Sequence, residues 1–141
     1  MYARAARVLL AALVVRPATR LIVVGGAGSL ERAPGQVSAD DAPGLRAALR
    51  DLGLPEAYAA AVRGHRDALD TYRTSNRRWA YASPAEDIRA GERTGRFRLG
   101  DDQLLTDPRG HSQISYEDFA IALADEIELP RHVQRRFTVA Y

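Results

Sequence analysis

The chain has 141 residues, with 20 Lys or Arg against 18 Asp or Glu, a net charge of +2 and no cysteine. A length of this order suffices for one domain with a sizeable core, and the missing thiols exclude a disulfide framework and a thiolate metal site. The balanced charge is no nucleic-acid footprint, and His65, His111 and His132 are too scattered to suggest zinc, so neither nucleic acid nor a metal is expected as a partner.

The amino terminus supports two readings. Arg4 and Arg7 followed by the apolar run Val8 to Val15 imitate a signal peptide. The alternative is an amphipathic helix over Tyr2 to Val15, ended by Pro17, with Tyr2, Ala5, Ala6, Leu9, Ala12 and Leu13 buried and Arg4 and Arg7 outside. No small-x-small cleavage site follows and the run falls short of the ~20 residues of a membrane span, which favours the helix and a cytoplasmic protein without membrane attachment. Leu21 to Val24, apolar on both faces, reads as an interior parallel strand.

Gly25-Gly-Ala-Gly28 follows that strand. A phosphate cradle would need a helix directly behind it, and Pro34-Gly35 break any helix begun at Ser29. Two uses remain open, close approach of backbone to a flat ligand or a tight strand exit. The segment Glu31 to Pro43, rich in Pro, Gly, Ser and Asp, is either a lid over the strand end or a plain surface connection. A short helix is expected over Gly44 to Leu52.

Tyr58, Ala61, Val62, His65, Ala68, Leu69 and Tyr72 form one stripe of a helix expected over Pro55 to Thr74. On it His65 is either a packed, hydrogen-bonded core histidine or a ligand contact. Trp79 to Ser83 is a strand stopped by Pro84, so Ser83-Pro-Ala85 puts backbone at the carboxyl edge of a sheet. Thr94 to Leu99 alternates as a strand within an extended hairpin region reaching Ile114, and Asp107 to Gly110 has turn composition. Ser115 is the N-cap of a helix with Glu117 and Asp118 in its first turn and Phe119, Leu123 and Ile127 buried. Arg131, Arg135 and Arg136 read as a solvated flank of a last strand over Arg136 to Ala140, with His111 and His132 exposed. Strands and helices alternate, so the class is α/β.

Leu21-Ile-Val-Val-Gly-Gly-Ala-Gly-Ser-Leu30, Ser83-Pro-Ala85, Gly91 to Gly100 and Ile114-Ser-Tyr-Glu-Asp-Phe-Ala120, in this order, resemble the carboxyl-terminal half of the atypical short-chain dehydrogenase/reductases. The closest branch is that of the NAD(P)H-dependent flavin reductases and biliverdin-IXβ reductase. The resemblance implies the C-terminal part of a Rossmann-like parallel sheet with flanking helices, a single partial domain over residues 1 to 141. It further implies NAD(P)H as cofactor, a flavin or other small-molecule acceptor, and Gly25, Gly26, Ala27, Gly28, Ser29, Ser83, Pro84 and Ala85 along the nicotinamide side. The strand, Gly-rich phosphate turn and helix with which such a reductase begins have no counterpart before Tyr2. The expectation is therefore a truncated product, a misplaced start or a reduced variant, weak in dinucleotide binding and inactive alone, whose bare strand edge at Leu21 to Val24 dimerises or awaits an upstream half.

The proton chemistry narrows the reaction. The carbonyl-reducing branch of the superfamily uses a Tyr-x-x-x-Lys pair, but Val62 follows Tyr58 at that spacing, Asn76 follows Tyr72, and the chain has no lysine at all. Flavin reduction needs only stacked rings and a proton from water, so no catalytic side chain is expected and positioning supplies the rate. The competing expectation is a non-catalytic remnant that binds a nucleotide or a protein partner.

Overall fold

The computed structural model describes residues 1 to 141. Four helices are present, α1 (Tyr2–Val15), α2 (Ala42–Asp51), α3 (Tyr58–Arg73) and α4 (Tyr116–Glu128). The strands are β1 (Leu21–Val24), β2 (Glu31–Ala33), β3 (Gln36–Val37), β4 (Trp79–Pro84), β5 (Asp87–Arg89), β6 (Arg98–Gly100), β7 (Gln113–Ser115) and β8 (Arg135–Ala140). The main sheet has the order β1-β4-β8-β6; β1, β4 and β8 are parallel, and β6 runs antiparallel to β8. Parallel neighbours need long crossovers, here α3 between β1 and β4 and α4 between β4 and β8.

The alternation of β4 divides the core between the two faces of the sheet. Trp79 and Tyr81 pack with Ala6 of α1 and with Ala68, Leu69 and Tyr72 of α3. Ala80 and Ala82, with Phe137 and Val139 of β8, pack against Phe119 and Ala122 of α4. Trp79 also donates from its indole N–H to Ser75 O at 3.2 Å and lies 5.9 Å from the Tyr72 ring. Every residue of β4 is buried, as a central strand covered on both faces must be.

β1 is a parallel strand, as its apolar sequence suggests, and it has the bare edge expected of Leu21 to Val24. It has one neighbour, β4, so its other edge carries no partner strand, and Val24 is half exposed. The α1 face is shifted from the one expected. Ala6 and Leu13 are buried, whereas Ala5, Leu9 and Ala12 are exposed along with Val8 and Val15, leaving a second apolar stripe at helical spacing. No helix is long and apolar enough to cross a membrane.

The expected hairpin between residues 94 and 114 does not form. β6 joins β8 instead, and β7 pairs in parallel with β5. The real hairpin is β2 and β3, inside the segment read as a lid or surface connection, with Gly35 at φ 73° supplying its turn. Arg136 anchors that hairpin region to the sheet. Far from being solvated, it is buried and donates to Ser29 O at 2.9 Å, Ser29 Oγ at 3.0 Å and Asp102 Oδ1 at 2.5 Å.

Ser115 caps α4 as its sequence requires, accepting from Asp118 N at 3.0 Å. Buried Asp118 then accepts from Thr94 Oγ1 (2.5 Å), Gly95 N (2.8 Å) and Tyr141 Oη (2.9 Å), which ties the 91–96 loop and the last residue to one helix start. Ile127, expected inside, is exposed. At the other end of α4, buried Glu126 is paired with Arg20 and hydrogen-bonded to the backbone N–H of His132 at 3.0 Å and to its Nδ1 at 2.7 Å. His132 is thus largely covered, stacked on Phe137 with ring centroids 4.6 Å apart, and not exposed as its loop-like sequence suggests.

Candidate functional site

The carboxyl ends of β1 and β4 open into a cavity of about 570 Å³. Such a crevice is where open parallel sheets hold ligands, because the loops leaving the strand ends diverge there. Val24 to Gly28 form one wall and Pro84 to Ile88 another. The opposite side is built by α2 and the turn after it, with Leu45, Leu49, Leu52 and Leu54, and by Tyr58, Val62 and His65 of α3. Tyr116 and Phe119 at the start of α4 close the remaining side.

Each wall has a local cause. Asp41 caps α2 by accepting from Gly44 N at 3.1 Å, and Pro43 sits in the first turn, where a missing N–H costs nothing. Leu45 and Leu49 then pack on Ala59 and Val62 in a small cluster of their own. The hairpin is held to the β4 exit by Arg32, which pairs with Glu86 and donates to Ser38 Oγ at 2.8 Å. The protein segment over the strand end is therefore a packed hairpin followed by a helix, and the helix forms the outer wall.

The glycines have specific neighbours. Gly25 N continues the β1 ladder to Ala82 O at 2.8 Å. A Cβ on Gly25 would lie 1.9 Å from Tyr81 Cε1, and one on Gly28 would lie 2.1 Å from Val62 Cγ1. A Cβ on Gly26 would meet His65 at ordinary contact distance, with Cδ2 nearest at 3.7 Å. Behind them Ala27–Ser29 makes a single 3-10 turn, closed by Leu30 N donating to Ala27 O at 2.8 Å, and no α-helix follows. The pyrophosphate-binding helix start excluded on sequence grounds is indeed not formed here.

Of the eight residues expected along the nicotinamide side, the cavity brings together Gly25, Gly26, Ala27, Gly28, Pro84 and Ala85. Ser29 and Ser83 are not on its lining. Ser29 is buried and occupied by Arg136, and Ser83 is fully buried with no partner for its Oγ. Sequence reasoning missed the α2 wall, whose only signal was its Leu45, Leu49 and Leu52 spacing, and Tyr116, which reads as a plain helix residue.

The polar content of the cavity is small. Its charged residues are Glu86 and Asp87, paired with Arg32 and Arg89. His65 is half-buried, and burial holds its pKa below the ordinary 6.5, because desolvation disfavours the imidazolium. Its ring lies between Tyr2, at a centroid distance of 4.3 Å, and Tyr81. Tyr81 Oη donates to His65 O at 2.9 Å and lies 3.3 Å from Nδ1. Burial first, then Tyr72 nearby, pushes the Tyr81 phenol far above its usual 10.0, so it stays protonated. Chemically the site is an apolar slot floored by backbone, with one imidazole whose protonation burial disfavours.

No family model matches the chain. The uncharacterised Bacillus subtilis protein YwnB is 38% identical over 142 residues, which covers 99% of this chain and 62% of YwnB. Among solved structures, a candidate exported protein from Burkholderia pseudomallei is 40% identical over the whole of this chain and 66% of its own, with a TM-score of 0.78. A candidate NADH-flavin reductase from Streptococcus pneumoniae is 36% identical over 86% of this chain and 55% of its own, with a TM-score of 0.71. The chain thus spans between 55% and 66% of the length of these relatives. By sequence and by fold it is similar to these proteins, one of which is described as a candidate NADH-flavin reductase.

Proposed function

We propose that the chain carries the half of an NAD(P)H-dependent hydride-transfer site at which the nicotinamide ring meets the acceptor, of the kind that reduces a flavin or a related small-molecule acceptor. The observation that carries this reading is the cavity at the ends of β1 and β4. It is apolar, floored by Gly25 to Gly28 and Pro84-Ala85, and large enough for a planar ring system. Gly25, Gly26, Ala27 and Gly28, with Pro84 and Ala85, line the nicotinamide side, while Ser29 and Ser83 are buried off the lining. Neither tyrosine of the slot has a lysine to lower its pKa, which favours hydride transfer between stacked rings with a proton drawn from water over carbonyl reduction.

The experiment is flavin reduction by NADH and NADPH, followed at the flavin absorbance, with the chain alone and with a family-like upstream half supplied in trans. Activity restored by the second half supports the reading. A folded two-part complex that binds dinucleotide and reduces no flavin overturns it.

A second reading, a non-catalytic nucleotide- or protein-binding remnant, is favoured by one observation. Only a single 3-10 turn follows the glycines, so this chain offers no helix start to a pyrophosphate. Under it the two-part mixture stays inactive while the cavity still takes a ligand.

A further inference from the structure

His65 is the one polar group of the cavity lining on α3 whose ring nitrogens are not both accounted for. Tyr81 has a single hydroxyl proton, and it goes to the His65 carbonyl oxygen at 2.9 Å. The 3.3 Å approach of Tyr81 Oη to Nδ1 then requires the imidazole to donate, which places the ring proton on Nδ1. Nε2 has no partner within the chain and is not a sealed-off polar atom. The ring itself is held by two neighbours, Tyr2 and Tyr81. The slot has no lysine or arginine on its lining, and its charged residues are Glu86 and Asp87, so it offers a carboxylate or phosphate no cationic partner.

We propose that His65 is the polar anchor of this cavity, with Tyr81 as the positioning residue that fixes its tautomer, and that its bare Nε2 selects an uncharged flat heterocycle through an imide-type N–H. This deepens, and rests on, the flavin-type reading above. It distinguishes acceptors by chemistry: a flavin ring system carries an imide N–H, and an oxidised quinone carries none. A buried acceptor left facing a group without a donor loses its hydrogen bond and keeps its desolvation cost, which is how such a site rejects an isostere.

Two measurements on the intact chain test this. Long-range proton–nitrogen NMR on 15N-histidine protein at pH 8 reads the tautomer directly; the expected result is a protonated Nδ1 and an unprotonated Nε2 for His65, lost to a mixture in Tyr81→Phe. A protonated Nε2 in the wild-type chain overturns the proposal whatever the chain binds. Fluorescence titration with lumichrome and 3-methyllumichrome, two uncharged rings differing only at the imide, is expected to show binding about tenfold weaker for the methylated ring. His65→Leu should erase that difference, and His65→Gln, which returns an acceptor oxygen near the Nε2 position, should restore part of it. Equal binding of the two rings to the wild-type chain overturns the proposed selection while leaving the flavin reading standing. Failure of lumichrome to bind at all overturns the ligand class and the reading together, with the tautomer result still deciding the role of Tyr81.

Discussion

Gly25 and Tyr81 fit so closely that a Cβ on the first would sit 1.9 Å from Cε1 of the second. The tightest point of the glycine turn is thus set by an aromatic ring on the neighbouring strand. Tyr81 is wholly buried and its hydroxyl is tied to α3, so the ring has nowhere to move. Gly25→Ala is expected to destabilise the fold by about 1–3 kcal/mol, the cost of overpacking a filled core. Gly26→Ala, with ordinary contact to His65 and nothing closer, should leave the melting temperature nearly unchanged while narrowing the slot. Thermal unfolding of the two variants, side by side, checks the order.

Dinucleotide binding should be poor. The backbone after Gly28 turns once and then enters a hairpin, so no row of amides and no helix dipole faces a pyrophosphate. Calorimetry is expected to show no saturable binding of NADH or NADPH at sub-millimolar concentrations. A micromolar dissociation constant for either would contradict this.

The open side of β1 should make the chain self-associate. Its backbone groups on that edge face no strand, and neither a charge nor a proline lies within Leu21 to Val24 to discourage pairing. The uncovered stripe Ala5, Val8, Leu9, Ala12 and Val15 of α1 adds apolar area. Sedimentation at rising concentration should show dimers or larger species, reduced in Val24→Arg. A stable monomer with a sharp unfolding transition would count against an incomplete sheet.

Acid should loosen the end of α4. Burial alone would raise the Glu126 pKa, but hydrogen bonds from the His132 N–H, the His132 ring and the Arg131 N–H, with the charge of His132, hold it below the ordinary 4.5. A folded-state pKa below the unfolded one means that the unfolded chain takes up the proton first as pH falls. The stabilisation is present above pH 4.5 and is lost as the pH drops from there through the lowered folded value. Glu126→Gln is expected to cost about 3 kcal/mol at neutral pH, by leaving Arg20 without its charge partner, and to flatten the acid limb of the denaturation profile.

How much of this was legible in the sequence depended on whether a residue's neighbours lie nearby in the chain. The Ser115 cap, the α3 stripe and the β4 stop at Pro84 are local signals, and α3 and β4 were placed within about three residues of their true ends, whereas the strand expected over Thr94 to Leu99 is only Arg98–Gly100. The partners of β6 and β7 lie 40 and 26 residues away, and a short alternating run cannot say which it will choose. Arg136 and His132 looked like loop-flank residues because their partners, Asp102, Ser29 and Glu126, are supplied by other elements. Gly25 to Gly28 and Pro84-Ala85 could be placed at the strand ends, where they line the cavity, because backbone at a strand end is itself a local pattern. The leucines of α2 were not, since an amphipathic helix does not announce which side of a cavity it will close.

Trp79 gives this chain an internal optical probe of one face only. It is the single tryptophan, and it is buried between α1, α3 and the sheet, beside Tyr72 and away from the α4 layer. Its emission should redden when the α1–α3 layer lifts off and stay blind to loss of α4, which the near-ultraviolet signal of Phe119 and Phe137 reports only weakly. Comparing indole emission with far-ultraviolet ellipticity during denaturation would therefore reveal whether the two layers come apart as one cooperative unit or in sequence.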